Sequence, residues 1–149
     1  MKIYLDNCCY ARPFDDKSND KIKLEADATL YIREKIISHE LELATSFMIH
    51  YENSQKPNEQ QRIDIEKFFK TYRTIYVGID HIEELTELVR KIMATGIKRK
   101  DAYHIACAIF AKCDYFITVD RRLRNFNSDD IKIVNPIEFY KFWSEKNVE

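Results

Sequence analysis

The sequence has little glycine or proline, and these are the residues that mark flexible linkers and low-complexity tracts. Its 149 residues include two glycines and three prolines, so such segments are not expected. Hydrophobic residues make up 45% and charged residues 33%, as in ordinary globular proteins. We therefore expect one domain that spans residues 1–149.

Long apolar runs are also missing. The N-terminal segment reaches a charged side chain at Asp6, which is too early for the apolar region of a signal peptide. No stretch approaches the ~20 apolar residues that a membrane helix needs. We expect a cytoplasmic protein that does not contact a membrane.

The four cysteines lack the paired spacing of structural zinc sites. Cys8 and Cys9 are adjacent and cannot easily pair with each other, while Cys107 and Cys113 lie in an apolar helical pattern. We expect buried free thiols.

The apolar pattern predicts strands that alternate with helices. The predicted strands are 2–5, 41–45, 74–79, 115–119 and 131–134. The predicted helices are 17–38, 46–56, 59–72, 80–95, 100–113 and 136–146. Asp80 and Glu83 are interpreted as a capping box that begins the fourth of these helices. The alternation indicates an α/β fold with a mostly parallel five-stranded sheet.

Four acids are predicted to meet at one edge of this sheet. Asp6 and Asp120 follow the first and fourth strands, Asp101 lies in the first turn of a helix, and Glu52 lies on the helix after the second strand. Each acid alone has an ordinary role in a turn, a cap or a solvated face. Ligands of open parallel sheets collect at the carboxyl ends of the strands, where all four can converge. Crowded carboxylates repel unless a cation binds, and an all-oxygen set favours Mg²⁺ or Mn²⁺ over zinc.

Three further residues are kept out of this predicted site. Glu42 lies within a strand, upstream of the edge, so Glu52 is preferred. Asp80 is explained by its capping box. His104, three residues after Asp101, is interpreted as a half-buried core histidine rather than a ligand.

Basic residues flank two of the acids. A net charge of −1 gives no support for whole-surface binding of nucleic acid, so a local patch is needed. Cations beside an acidic metal site would hold a phosphate backbone that the acids alone would repel. The residues predicted to hold a nucleic-acid backbone, which the resemblance described below implies to be RNA, are Lys98, Arg99, Lys100, Arg121, Arg122 and Arg124. Bound divalent cations promote phosphodiester cleavage, so the pattern indicates a metal-dependent nuclease.

These residues resemble a PIN domain, the nuclease domain of many bacterial and archaeal toxins of the VapC type. The resemblance spans nearly the whole chain and rests on four segments, which read I-Y-L-D at 3–6, S-x₅-E at 46–52, K-D-A-Y-H-I-A-C-A at 100–108 and F-I-T-V-D at 116–120. The D-A-x-H-I-A-x-A segment followed by T-x-D is its most specific part.

The resemblance implies a three-layer α/β/α fold and a ribonuclease that uses Mg²⁺ or Mn²⁺ on single-stranded or structured RNA. The metal-binding and catalytic residues would be Asp6, Glu52, Asp101 and Asp120, with Asn7 and Thr118 in support. Asn7 stands where the family commonly has a small hydroxyl residue. An antitoxin partner and a homodimer are further implications of the resemblance.

Two other functions remain open from the sequence. A catalytically silent PIN-like module would bind nucleic acid or a protein without cutting. A receiver-type signalling domain would use Asp80 as its phosphate acceptor, but such domains carry a lysine at the end of the last strand, where this chain has Val134-Asn135-Pro136.

Overall fold

A computed structural model describes residues 1–147 of the chain. Within this range five strands form one sheet, and they are β1 (Lys2–Leu5), β2 (Glu42–Ser46), β3 (Arg73–Val77), β4 (Tyr115–Ile117) and β5 (Lys132–Val134). The α-helices are α1 (Asn7–Ala11), α2 (Asp20–Ile37), α3 (Phe47–Ser54), α4 (Glu59–Tyr72), α5 (Ile82–Met93), α6 (Arg99–Phe110) and α7 (Pro136–Lys146). Short 3₁₀ helices occupy Arg12–Phe14, Ile79–His81 and Arg121–Asn125. The predicted α/β class is confirmed.

The sheet is parallel throughout and has the strand order β3-β2-β1-β4-β5. The chain first builds the sheet to one side of β1 and then returns to the other side with β4. The order therefore reverses between β1 and β4, and their carboxyl ends open into the crevice where α/β proteins bind ligands.

The core lies on both sides of the central strand β1. Ile3, Tyr4 and Leu5 point to alternating faces of the sheet, and all three are fully buried. Helices therefore cover both faces, with α2 packed on α7 and α5 packed on α6. This arrangement is the predicted three-layer α/β/α architecture.

Two local predictions were wrong. The capping box at Asp80 does not form, because residues Ile79–His81 make a 3₁₀ turn and α5 begins at Ile82 without a side-chain cap. The sequence patterns also missed α1, a five-residue helix capped by Asp6. Its length is too short for a helical period to show.

Gly96 lies within the connection between α5 and α6. Its φ of +101° lies in a region that disfavours side chains, so glycine suits this turn. Among the described residues, no helix is both long and apolar enough to cross a bilayer.

Candidate metal centre

All four predicted acids line one cleft of about 400 Å³ beyond the carboxyl ends of β1 and β4. Its lining residues are Asp6, Asn7, Cys8, Ala11, Glu52, Lys56, Lys98, Lys100, Asp101, Asp120 and Arg122. Glu42 instead begins β2, at the opposite end of the strand, and is exposed. The position of the acids follows from the sheet order, since strands and helices that are distant in sequence end at the same edge.

Asp6 is held firmly where β1 ends. Its Oδ1 accepts a hydrogen bond from the backbone N–H of Asn7 at 2.8 Å, which caps α1. Its Oδ2 accepts from Thr118 Oγ1, also at 2.8 Å. Thr118 is fully buried, and its hydroxyl oxygen accepts in turn from the backbone N–H of Asp120 at 3.0 Å. Thr118 thus joins the ends of β1 and β4 through these two hydrogen bonds.

Glu52 is braced by a chain of buried polar groups. Its carboxylate meets His104 Nε2, while His104 Nδ1 lies 2.7 Å from the hydroxyl of Tyr4. That hydroxyl lies 2.6 Å from Ser46 Oγ, which accepts from the backbone N–H of Ile49 at 3.2 Å. One pattern satisfies every group: Ser46 donates to Tyr4, Tyr4 donates to His104, and His104 donates to Glu52.

His104 is a core residue, as expected, although it is more deeply buried than predicted and its contact with Glu52 was not foreseen. It is buried with only 2% of its surface exposed, as a core residue would be, but its free ring nitrogen reaches Glu52. The sequence offered one signal, since His104 lies three residues after Asp101 and so near the same helix face. It could not show the partners, which come from β1 and α3.

The environment of Glu52 favours its ionised form. Burial acts to raise the pKa of Glu52, but the hydrogen bond from His104 and the ammonium of Lys100 outweigh burial and lower the pKa below its ordinary value. Lys100 Nζ lies 3.0 Å from Glu52 Oε2. Burial raises the pKa of Tyr4 well above its ordinary value, so Tyr4 remains a neutral donor.

Asp101 and Asp120 differ in how their charge is balanced. Burial raises the pKa of Asp101, and the nearby charges of Asp6 and Asp120 raise it further. Asp120 accepts a two-pronged contact from Arg122, at 3.1 Å from Nε and 2.7 Å from Nη2, and this hydrogen bonding lowers the pKa of Asp120. For Asp101, burial and the neighbouring acids outweigh the opposing charge of Arg122, so its ionised form is disfavoured in the cleft.

The donor set suits a divalent cation. Ligand atoms of Asp6, Glu52 and His104 all lie within 4.8 Å of one another. Octahedral ligands at ~2.1 Å from one ion stand at most ~4.2 Å apart, so small shifts of the Asp6 and Glu52 carboxylates bring these two ligands to bonding distance. His104 Nε2 donates its proton to Glu52 and has no lone pair for the cation, so His104 holds Glu52 rather than binding the ion. Asp101 and Asp120 line the same cleft outside this compact group. Within residues 1–147, buried Asn7 Oδ1 has no hydrogen-bond partner, so it is a further acceptor at the rim.

The structure brings three of the six predicted RNA-binding cations to the cleft, namely Lys98, Lys100 and Arg122. The other three are not among the lining residues. The guanidinium of Arg99 lies over the ring of Tyr103 at 5.8 Å, and Arg124 pairs with Glu138. Arg121 is exposed.

Sequence reasoning missed Lys56 and Cys8, which also line the cleft. The expectation of buried free thiols is confirmed for Cys9, Cys107 and Cys113, but Cys8 is half-buried with its Sγ 3.5 Å from Asp6 Oδ2. Neither residue lies in a motif, and their directions depend on α1 and on the loop after α3.

Comparisons of this chain with known proteins give a structural match but no sequence match. No family model matches the chain, and no curated protein sequence matches it. A chain of the crystal structure of VapBC2 from Rickettsia felis, bound to a DNA fragment from their promoter, matches with a TM-score of 0.56 at 16% identity. The match covers 91% of this chain and 98% of that chain.

This chain has a VapC-like PIN-domain fold. The PIN fold places the acid-lined cleft at the reversal of strand order, where its ligands are expected. The strand order of this chain, β3-β2-β1-β4-β5, differs from the 2-1-3-4-5 order of receiver domains. Asp80, the acceptor that a receiver would need, is exposed and lies outside the lining of the cleft.

Proposed function

We propose that the chain is a metal-dependent endoribonuclease and that residues 1–149 form a single nuclease domain. The observation that carries this proposal is the convergence of Asp6, Glu52, Asp101 and Asp120 on one cleft of a PIN-like fold. Ordinary caps and turns explain each acid alone but give no reason for all four to meet.

In this proposal the four acids bind Mg²⁺ or Mn²⁺. A bound divalent cation would activate water and neutralise charge on phosphate oxygens. His104 and Thr118 position Glu52 and Asp6, so that their carboxylates are held before the cation arrives. Burial and the charges of Asp6 and Asp120 raise the pKa of Asp101, and a cation bound beside these carboxylates would offset the repulsion among them, which supports a cation site.

The cleft cations are proposed to change partners when RNA binds. Lys100 and Arg122 are paired with Glu52 and Asp120 in this structure. Once a cation neutralises these carboxylates, both side chains become available to phosphates at the rim. Lys98, which is exposed at the same rim, adds a further phosphate contact. Arg99, Arg121 and Arg124 would contact RNA only outside the cleft.

A role as the toxin of a toxin–antitoxin pair is part of the proposal. The structural neighbour belongs to a VapBC2 complex bound to promoter DNA, which supports an antitoxin protein as the partner of this chain. A homodimer remains a prediction from the family resemblance.

The test is cleavage of labelled single-stranded RNA by the purified full chain in Mn²⁺. Cleavage should disappear in EDTA and fall by at least ~10²-fold in Asp101→Asn. Glu42→Gln is the matched control, since Glu42 is an exposed acid at the far end of β2, and it should cleave like the wild type. RNA binding without turnover on varied RNAs would instead favour the catalytically silent module.

A further inference from the structure

Lys56 is held in a fixed position beside the cleft. Its backbone N–H donates to the carbonyl of Asn53 at 3.1 Å, and its carbonyl accepts from Arg62 Nη1 at 2.8 Å. Pro57 follows it and restricts its backbone to extended conformations. The side chain therefore starts from a rigid base, directly after the helix that carries Glu52.

The ammonium of Lys56 differs from the other cations of the cleft. Its Nζ is buried and has no hydrogen-bond partner among residues 1–147. Lys100 and Arg122, by contrast, are paired with Glu52 and Asp120. A buried charge without a partner is costly, so a ligand that accepts its hydrogen bonds would be favoured.

The acids of the cleft do not supply that partner. Asp6 and Glu52 line the same cleft, but neither lies within 4.0 Å of Lys56 Nζ in an ion pair, and both are already held by Thr118 and His104. An anion that enters the cleft would meet a lysine that needs no release from an existing pair.

We infer that Lys56 binds a non-bridging phosphate oxygen of the RNA strand in the cleft. The inference rests on the proposed function, because it takes the anion to be the phosphate of a nucleic-acid substrate. A lysine acts on phosphate as a compact point charge with three donors. Its contact would strengthen as negative charge grows on the phosphoryl oxygens, so it should affect turnover as well as binding.

The experiment compares Lys56→Met and Lys56→Arg with Lys23→Met, a control that removes an exposed lysine from α2. For the binding measurement, each variant is made in an Asp101→Asn background, which suppresses turnover, and binding of a short fluorescent single-stranded RNA is measured by anisotropy with Mn²⁺ present, at several salt concentrations. We expect Lys56→Met to bind about tenfold more weakly and to reduce the slope of log K against log salt by about 0.7. Lys56→Arg should retain the slope, and Lys23→Met should match Asp101→Asn alone.

Thermal unfolding and Mn²⁺-dependent turnover, both measured with Asp101 intact, complete the test. Lys56→Met should unfold at the wild-type temperature or higher, since it removes an unpartnered charge, while its kcat falls by roughly 10²-fold. Unchanged binding and salt slope in Lys56→Met would overturn the inference, as would an equal loss in Lys56→Arg. If the wild type cleaves no RNA, the proposed nuclease fails, but the binding data still decide whether Lys56 contacts phosphate.

Discussion

At the scale of single residues, the site depends on groups that never face the cleft. Tyr4 lies in the middle of the central strand, yet its hydroxyl connects the cap of α3 to the ring of His104. The other ring nitrogen of His104 contacts the carboxylate of Glu52 and so orients it. Metal ligands held by such outer groups lose about 10–100-fold in affinity when the outer group is removed.

Tyr4→Phe should therefore weaken both the fold and the metal site. The change leaves buried His104 Nδ1 without a partner, which costs about 1–3 kcal/mol of unfolding free energy. Mn²⁺ affinity should fall by about 10–100-fold because Glu52 is no longer oriented. Urea unfolding and calorimetric Mn²⁺ titration measure these effects. Tyr140→Phe, at an exposed tyrosine, is the control, and wild-type values for Tyr4→Phe would refute the bracing role.

Without metal, the ionised carboxylate of Asp101 should lower the free energy of unfolding. Its pKa is raised by burial and by the charges of Asp6 and Asp120, so the folded state disfavours its ionised form. The folded protein then loses stability as pH rises through the ordinary value of 3.8 and on through the raised pKa. In EDTA at pH ~7, Asp101→Asn should melt about 2 °C higher than the wild type, and the gain should vanish at acidic pH.

Thermal scans across pH measure this gain, with Asp27→Asn on the exposed face of α2 as the control. A lower melting temperature for Asp101→Asn at neutral pH would show that the carboxylate makes a stabilising contact instead.

At the scale of elements, the start of α3 couples folding to the site. Ser46 ends β2, caps α3 through the N–H of Ile49, and contacts Tyr4. The cap fixes the first turn of the helix that carries Glu52. The cap of α4 at Asn58, which accepts from the N–H of Gln61 at 2.9 Å, has no such connection to the cleft.

Comparison of Ser46→Ala with Asn58→Ala should separate the effect of losing a helix cap from the effect of losing the connection to Glu52. Each removes a helix cap and should cost about 1–2 kcal/mol of unfolding free energy. Only Ser46→Ala should also weaken Mn²⁺ binding, because it breaks the chain of hydrogen bonds that ends at Glu52. Denaturant unfolding and Mn²⁺ titration of both variants give the comparison. Equal Mn²⁺ affinities would mean that α3 holds Glu52 without this chain.

The elements that sequence predicted best are those with a long apolar period or a clear cap. The predicted bounds of α4 agree with the structure, and Pro136 begins α7 as expected. The capping box at Asp80 failed because the turn Ile79–His81 intervenes before α5. A short sequence pattern cannot show whether a helix cap or a 3₁₀ turn forms when the same residues are compatible with both.

Glu52 lies late in α3 and was chosen because Glu42 lies upstream of the sheet edge, whereas the other three acids were predictable because they end strands or begin helices. Asp6, Asp101 and Asp120 occupy such positions, so the edge of a parallel sheet brings them together. The contacts of His104 and Lys56 were not predictable, because they depend on side chains that reach the cleft from other elements.

At the scale of the whole molecule, the sheet order decides where chemistry can occur. The reversal between β1 and β4 opens a crevice, and Thr118 joins the two strand ends through Asp6 and the backbone of Asp120. The acids then share one cleft although they span most of the chain. A single cation bound there would link segments from β1, α3, α6 and the turn after β4.

Calorimetric titration of the full chain with Mn²⁺ tests most directly whether these acids form one metal centre. The account predicts binding to the wild type, loss of that binding in Asp6→Asn, and wild-type binding in Glu42→Gln. Bound Mn²⁺ should also raise the free energy of unfolding of the wild type, by about 2.7 kcal/mol at 100 times Kd. Equal Mn²⁺ binding by the wild type and Asp6→Asn, or no binding by either, would contradict it.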